Sequence, residues 1–386
     1  MKYLPLITFL LGIIPGFGCS NEPGDLGLGL VSPQDTVRLQ AYETRATSDT
    51  TFLHRISGTT STLVGKYLDP VSNASIEAKA LIQYSGFTSI PSNAVIDTAV
   101  LTLTANYKFR DTTGSVRFFV HEMKQSWSER TFTWDSLVSS SYNSAPDTSF
   151  DQNIDGDGSV GIHVEPLVRR WVKDSLNTPD GILLNPPIDP ARPTDIIIGT
   201  SSGLAGSVRQ LLTIAYHTPG DTIKTIKLYS IQNAFIANSS APSFPNSFFS
   251  EAGIGYRGLL RFDSLSIPKR ASVTRATLEL SFDTLHSMTN NLRNDSLIVY
   301  LSRKNFLPYD SLVLATLCSP HMSGSQKVYR ADIKAIVQQW IIREPNYGLI
   351  VRPYGEFSSL DRFSIHGSSA AINLRPKLSI IYTVLP

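Results

Sequence analysis

The chain has 386 residues, and 34 Lys and Arg against 32 Asp and Glu leave a formal net charge of +2. This length predicts two or three domains, and the near balance of charge argues against a protein that binds nucleic acid through its phosphates. Hydrophobic residues make up 41% of the chain, which excludes wholesale disorder, and two cysteines cannot form a disulfide scaffold or a four-thiolate zinc site.

The first eighteen residues have the pattern of a secretory leader. Lys2 precedes an apolar run, Leu4 to Ile14, that is too short to span a bilayer about 30 Å thick. Gly18 followed by Cys19 resembles the lipobox of bacterial lipoproteins, in which that cysteine carries lipid and becomes the mature N-terminus. We therefore expect a signal peptide over 1–18, lipidation of Cys19, and anchoring in the cell envelope at the outer membrane.

Residues 19–35 are rich in Gly, Pro and Asn and predict a flexible tether. If Cys19 carries lipid, Cys318 has no partner for an intramolecular disulfide. Its apolar neighbours predict a buried thiol.

An internal repeat organises the remainder of the chain. The segment 81–91 recurs, one residue shorter, at 259–268, and the ten residues from Ala94 align without a gap with those from Ala271. Three further pairs of blocks match in the same order, centred on Trp171 and Trp340, on Gly181 and Gly348, and on Tyr216 and Tyr382. Five blocks in one order predict two homologous domains, about 36–218 and 223–386.

Within each copy the periodicity is mostly that of β-strands. Runs such as 96–104, 116–123 and 297–302 alternate apolar and polar residues between Asn, Asp, Gly or Pro. The exception in each copy is a set of apolar residues at i, i+3, i+4 and i+7 that ends in Trp171 or Trp340 and predicts a two-turn helix with a core tryptophan. The pattern predicts an all-β fold of two tandem jelly-roll-like antiparallel β-sandwiches, each with one short helix.

The repeated blocks resemble the DNRLRE family of bacterial extracellular β-sandwich domains, which is related to carbohydrate-binding modules for alginate-like polysaccharides. The resemblance rests on an Ala-x-Leu-x-Leu strand after a Leu-x-Phe-Asp…Ile-Pro lead, on the helix that ends in Trp, and on the Asn346-Tyr-Gly348 strand start. In the first copy it also includes the segment Trp127-Ser-Glu-Arg-Thr-Phe-Thr-Trp134. It covers nearly the whole mature chain, twice, and implies a non-catalytic role in binding or adhesion.

The sugar-site candidates lie in that segment, where Trp127 and Trp134 flank Glu129 and Arg130. Aromatic faces stack on sugar rings, and neighbouring charged groups hold hydroxyls or uronates. The alternative is a hairpin whose two tryptophans pack in the core.

A second candidate site is a calcium loop. Asp151, Asn153, Asp155 and Asp157 carry oxygen ligands at alternating positions, and Gly156 holds the sixth position. The twelfth position, Ile162, lacks the expected Glu, so a solvated Asp/Gly turn is the alternative. No other cofactor is expected.

The signals for an enzyme fail on context. The G-x-S-x-G match at 199–203 is not followed by a helical pattern, and the G-x-G-x-x-G match at 253–258 precedes a strand. No paired-carboxylate set recurs in both copies. We therefore expect a protein without catalytic activity.

Asp-Ser and Asp-Thr pairs are unusually frequent, since 12 of the 22 Asp residues precede Ser or Thr. One account is a turn-to-strand junction that is used repeatedly, with the Asp accepting backbone hydrogen bonds. The other is a resemblance to the O-glycosylation acceptor of Bacteroidetes-type envelopes.

The sequence thus predicts a non-catalytic cell-envelope lipoprotein that binds polysaccharide or acts in adhesion. The alternative is a structural or assembly lipoprotein whose sandwiches are spacers that contact other envelope proteins. The expected partners are the membrane, through the N-terminal lipid, and a polysaccharide or an envelope protein, but not nucleic acid.

Overall fold

The computed structural model describes residues 38–384, apart from 112, 156–157, 193–194, 202–207, 241, 264, 291–294, 308–312 and 344. The predictions for the signal peptide, the tether and Cys19 lie outside the described residues. Within the described part of the chain, no helix is long and apolar enough to cross a membrane.

The first repeat is built almost entirely from antiparallel strands, with one short helix. Its elements are β1 Leu39–Arg45, β2 Ser48–Leu53, β3 Thr62–Leu68, β4 Ser75–Gln83, β5 Val95–Ala105, β6 Tyr107–Phe109, β7 Gly114–Glu122, β8 Thr148–Ile154, β9 Gly158–His163, α1 Glu165–Lys173, β10 Ile182–Asn185, β11 Ile197–Thr200 and β12 Leu211–His217.

The second repeat follows the same order without a counterpart of β6. Its elements are β13 Lys224–Tyr229, β14 Gln232–Ser239, β15 Ser247–Glu251, β16 Tyr256–Arg261, β17 Ala271–Ser281, β18 Leu297–Leu301, β19 Thr316–Ser323, β20 Gln326–Asp332, α2 Lys334–Ile342, β21 Leu349–Pro353, β22 Arg362–His366 and β23 Lys377–Val384. The predicted all-β fold with one short helix in each copy is confirmed.

Two sheets form the first sandwich. One has the strand order β13-β12-β5-β9, and the other has the order β6-β11-β3-β4-β10-β7-β8, with β14 also paired to β4. The inward side chains of β4, β5 and β7 alternate with outward ones and form one apolar core between the sheets. Trp171, on α1, is fully buried in this core, as its helical spacing predicts.

The second sandwich is one continuous sheet that folds over itself. Its strand order is β1-β23-β17-β20-β19-β18-β21-β16-β15-β22, with β2 also paired to β16. Strand β19 pairs with β18 at its beginning and with β20 at its end, so it joins the two layers. Cys318, on β19, is a free and fully buried thiol, and burial raises its pKa.

The first two strands of each repeat complete the other sandwich. Strand β1 pairs with β23, with Leu39 opposite Thr383, and β2 pairs with β16. The equivalent strands β13 and β14 pair with β12 and β4. The packing units therefore differ from the sequence ranges 36–218 and 223–386, because residues 39–53 lie in the second sandwich and 224–239 in the first.

Local chain geometry explains this exchange. A hairpin containing Gly220, whose φ of 86° suits glycine, turns β12 directly into β13, so β13 stays on the sandwich that β12 closes. Strand β1 takes the equivalent place beside β23.

A separate apolar cluster and a buried ion-pair network join the sandwiches. The cluster includes Tyr67 and Phe109 from the first repeat and Phe249 from the second. At its side, the fully buried Arg362 binds Asp69 at 2.9 Å and Glu251 at 3.0 Å. Because the three charged groups come from both repeats, the network ties one sandwich to the other.

Candidate ligand-binding site

The predicted sugar-site segment lies across the outer face of the sheet formed by β4, β10 and β7. Trp127 is only 7% exposed, and its indole Nε1 donates a hydrogen bond to the Asp180 carbonyl oxygen at 2.8 Å. Its ring meets the ring of Phe132 edge-on at 6.2 Å, within an apolar cluster that includes Leu81 and Leu183. Trp127 thus packs as a core residue, as in the alternative of a hairpin with buried tryptophans, and its ring presents no free face to a sugar.

Trp134 lies at the margin of the same cluster and is half-buried. The Lys79 ammonium lies 4.6 Å from the centroid of its ring, in a cation–π contact. A sugar that stacked on this side of Trp134 would have to displace that ammonium.

Glu129 and Arg130 hold the exchanged segments through their backbone and side-chain atoms. The Glu129 carboxylate accepts a hydrogen bond from the Asn233 backbone N–H at 3.3 Å, and the Glu129 carbonyl accepts one from Gly58 at 2.8 Å. The Arg130 carbonyl accepts a hydrogen bond from the Ser57 hydroxyl at 2.8 Å, while its side chain is exposed. The structure therefore brings the four predicted residues together. The two tryptophans pack on the sheet, and Glu129 and Arg130 contact the chain that crosses between the sandwiches.

Two of the four calcium candidates lie on a strand. Asp151 and Asn153 are on β8, opposite Arg117 and Ser115 of β7, and Asp155 follows the strand. The Asp151 carboxylate is 3.2 Å from the Arg192 guanidinium. Asp157 lies outside the described residues, and within the described ranges no three His, Cys, Asp or Glu side chains are placed to hold a metal ion.

The G-x-S-x-G match contains a packing glycine. Gly199 lies on β11 beside β3, and a Cβ atom there would be 1.8 Å from the Thr62 carbonyl oxygen. The close approach of the two backbones explains this glycine without a nucleophile.

Two of the Asp-Ser/Thr pairs have the geometry of a turn, in which the Asp carboxylate accepts backbone hydrogen bonds. The Asp283 carboxylate accepts hydrogen bonds from the backbone N–H groups of Leu285 and His286, and the Asp221 carboxylate accepts one from Thr222.

A groove that the sequence did not reveal lies on the same sheet face as Trp127, at its β7–β8 side. Its volume is about 370 Å³, with Phe118, Ser149 and Phe150 among its lining residues. Phe119 is 36% exposed and Ile188 is 90% exposed, so the groove presents apolar side chains to solvent. Strand β8 forms the outer edge of this sheet among the described strands.

The polar side of the groove is a preorganised charge network. The Arg117 guanidinium lies 2.6 Å from the Asp189 carboxylate and 3.0 Å from that of Asp195. Burial opposes the charge of Arg117, but these two carboxylates raise its pKa, and the hydrogen bond from Arg117 lowers the pKa of Asp189. Arg117 and Arg192 face three carboxylates, counting Asp151, so the network is slightly acidic overall.

Two buried polar atoms flank Phe119 and have no hydrogen-bond partner among the described residues. They are Asn185 Oδ1, directly opposite Phe119 on β10, and Nε2 of His121, two residues along β7. The His121 Nδ1 donates to the Asn143 carbonyl at 2.7 Å, and burial lowers the pKa of His121, which favours the neutral ring. These atoms add hydrogen-bonding capacity beside an exposed aromatic ring.

No known protein family matches the chain, and no curated protein matches it. Among solved structures, a chain of T=1 particles derived from infectious bursal virus aligns over 92% of this chain and 76% of that chain, with 13% identity and a TM-score of 0.12. A TM-score this low does not indicate a shared fold.

Proposed function

We propose that this protein is a non-catalytic cell-envelope lipoprotein, anchored in the outer membrane through Cys19, whose first sandwich binds polysaccharide. The observation that carries the proposal is the groove beside β8. It combines the partly exposed Phe119 ring with the Asp151 and Asp189 carboxylates and the fixed Arg117 guanidinium. An aromatic face with a few fixed polar groups is the usual chemistry of a sugar subsite.

The charges favour a neutral polysaccharide over an acidic one. Arg117 and Arg192 are both engaged by carboxylates of the same network. A uronate would bring a further negative charge towards Asp151 and Asp189, whereas hydroxyl groups would donate hydrogen bonds to them. This proposal moves the sugar site from Trp127 to Phe119.

The alternative proposal is a structural or assembly lipoprotein in which the sandwiches are spacers between envelope proteins. It is supported by the buried position of Trp127 and by the strand exchange, in which the first two strands of each repeat complete the other sandwich. Membership of the DNRLRE family remains a proposal that rests on the sequence resemblance.

A glycan array of neutral, uronate and sulfated polysaccharides tests the binding proposal, with Phe119→Ala and Asp151→Asn as variants. Tyr229→Ala is the matched control, because Tyr229 is a 63% exposed aromatic residue on β13 of the same sandwich. We expect neutral glycans to bind, each groove variant to lose at least about tenfold in affinity, and the control to bind as the native chain does. No binding across the array would favour the spacer alternative.

Lipid attachment is tested separately by incorporation of a labelled fatty acid in a bacterial host. The native chain should carry the label and Cys19→Ser should not. An unlabelled native chain would contradict the anchoring proposal but not the sugar site.

A further inference from the structure

One end of the second sandwich carries a group of exposed cations that form no ion pair with the described residues. They are Arg38, Lys269, Arg270 and Arg343. The described stretches at this end, 38–40, 265–275, 338–343 and 381–384, contain no Asp or Glu, and the nearest acid in the sequence, Glu344, lies outside the described residues. Leu39 and Ile342 are 67% and 58% exposed among these cations.

Backbone pairing brings these residues to the same end of the sandwich. Leu39 lies opposite Thr383, and Ala271 lies opposite Val384, so the starts of β1 and β17 meet at the end of β23. Helix α2 runs along β17 towards this end, because the Gln338 side chain bonds the Val273 N–H at 2.8 Å and the Ala271 carbonyl at 3.2 Å. Arg343, the residue after α2, follows about one turn and a half beyond Gln338.

The equivalent end of the first sandwich is less basic, since it keeps the exposed Lys173 but its Lys224 is paired with Asp221 at 2.6 Å. The turn Pro268-Lys269-Arg270-Ala271 corresponds to Pro91-Ser92-Asn93-Ala94, and Arg343 corresponds to Asp174. Arg38 corresponds to Thr222, since Gln40 and Lys224 pair with the equivalent residues Tyr382 and Tyr216. Four positions that carry four positive charges in one copy therefore carry one negative charge in the other. Because both copies share the backbone arrangement, the fold does not require these four positive charges.

We infer that this basic end of the second sandwich binds the surface of a membrane that contains anionic phospholipids. The inference rests on the proposed lipid anchor for its orientation, because the chain enters the described structure at this same end, next to Leu39. If the 20 residues from Cys19 to Leu39 behave as the tether that the sequence predicts, their average reach is about 25 Å. The anchor would thus hold the cations close to the headgroups, and the second sandwich would lie next to the membrane.

Basic side chains are attracted to anionic headgroups over a distance of about one Debye length, roughly 8 Å at physiological salt. Each Lys or Arg near the surface strengthens binding about fivefold. Four such residues, with the exposed Leu39 and Ile342 side chains between them, form a surface of the right chemistry for headgroups and the region just below them.

The test uses the full chain with Cys19→Ser, so that binding does not depend on lipid attachment, and measures sedimentation with vesicles. The vesicles are phosphatidylcholine alone or phosphatidylcholine with phosphatidylglycerol. The variant Lys269→Ser, Arg270→Asn, Arg343→Asp gives the second sandwich the residues that the first already tolerates. We expect binding only to the anionic vesicles, weakened by salt and at least about tenfold by the variant.

Two further variants sharpen the result. Lys124→Glu with Lys227→Glu lowers the net charge by the same four units on exposed residues of the first sandwich, and it should leave vesicle binding nearly unchanged. A rescue variant adds three cations to the weakened variant at the equivalent end of the first sandwich: Ser92→Lys, Asn93→Arg and Asp174→Arg. It should restore vesicle binding through the first sandwich.

Equal binding by the native chain and the weakened variant would overturn the inference, and so would an equal loss in the control. Absence of vesicle binding together with tight binding of soluble alginate by these same residues would replace the membrane with an acidic polysaccharide. None of these outcomes depends on fatty-acid labelling at Cys19 or on the Phe119 groove, so failure here is distinguishable from failure of the proposed function.

Discussion

The buried network around Arg362 gives the sharpest stability prediction, for the variant Arg362→Met. The Arg362 side chain is fully buried and is the cation between Asp69, from the first repeat, and Glu251, from the second. Without it, the Asp69 carboxylate keeps hydrogen bonds from Ser72 and the Val71 N–H, and Glu251 keeps a 3.4 Å contact with the Ser239 hydroxyl. Leaving a buried charge without its partner costs about 3–5 kcal/mol, and this variant leaves two.

Urea unfolding at neutral pH measures the loss, and the pH dependence shows its cause. Burial already raises the pKa of Glu251, so acidification should protonate the stranded carboxyl and shrink the deficit of Arg362→Met. Adding Asp69→Asn and Glu251→Gln should recover much of the stability. Lys224→Met, which breaks the exposed pair with Asp221, is the control and should change stability little. A loss below about 1 kcal/mol, or no recovery in the triple variant, would refute the reasoning.

Three further predictions follow from single buried residues. Burial raises the pKa of Asp361 to about 6 from 3.8. The contribution of this carboxyl to stability is therefore full below pH 3.8 and is lost as the pH rises through 6. Asp361→Asn should stabilise the protein at pH 7.5 by on the order of 2 kcal/mol and flatten the pH profile of the unfolding free energy. An unchanged profile would contradict this. Trp127→Ala should cost about 3–5 kcal/mol in urea unfolding, whereas a sugar-platform tryptophan would lower glycan affinity without that loss. Gly199→Ala should cost about 3 kcal/mol because its Cβ would overlap the Thr62 carbonyl, and a neutral effect would mean that β11 and β3 lie farther apart.

Local periodicity predicted the elements of the fold well. The i, i+3, i+4, i+7 spacing placed Trp171 and Trp340 in the cores, where they are fully buried and 9% exposed, and the apolar neighbours of Cys318 indicated its burial. The alternation of apolar and polar residues identifies a strand but not the strand it pairs with. Nothing in residues 39–53 distinguishes pairing with the first sandwich from pairing with the second, because the two repeats present equivalent edges.

The candidate site shows a different limit of sequence reasoning. Trp127 has the composition of a sugar platform and the position of a core residue, since an indole serves both and its burial depends on which strands lie beneath it. The groove is assembled from residues around 117–119, 149–151 and 187–189, whose proximity arises only from the pairing of β7 with β8 and β10. The one local signal was Ile188, an isolated hydrophobe among three prolines in a turn.

Disulfide trapping tests most directly whether the first strands of one repeat complete the other sandwich. Glu43 lies opposite Ser379 in the register of β1 and β23, a spacing of about 4.5–5.5 Å between Cα atoms that a disulfide spans. In the Cys19→Ser background, Glu43→Cys with Ser379→Cys should form an intramolecular cross-link in the monomer, because the remaining Cys318 is buried. Glu43→Cys with Thr213→Cys, the pair that would meet if the first repeat kept its own strand, should stay uncross-linked. A cross-link in the second pair but not in the first would contradict the exchange of strands between the two sandwiches.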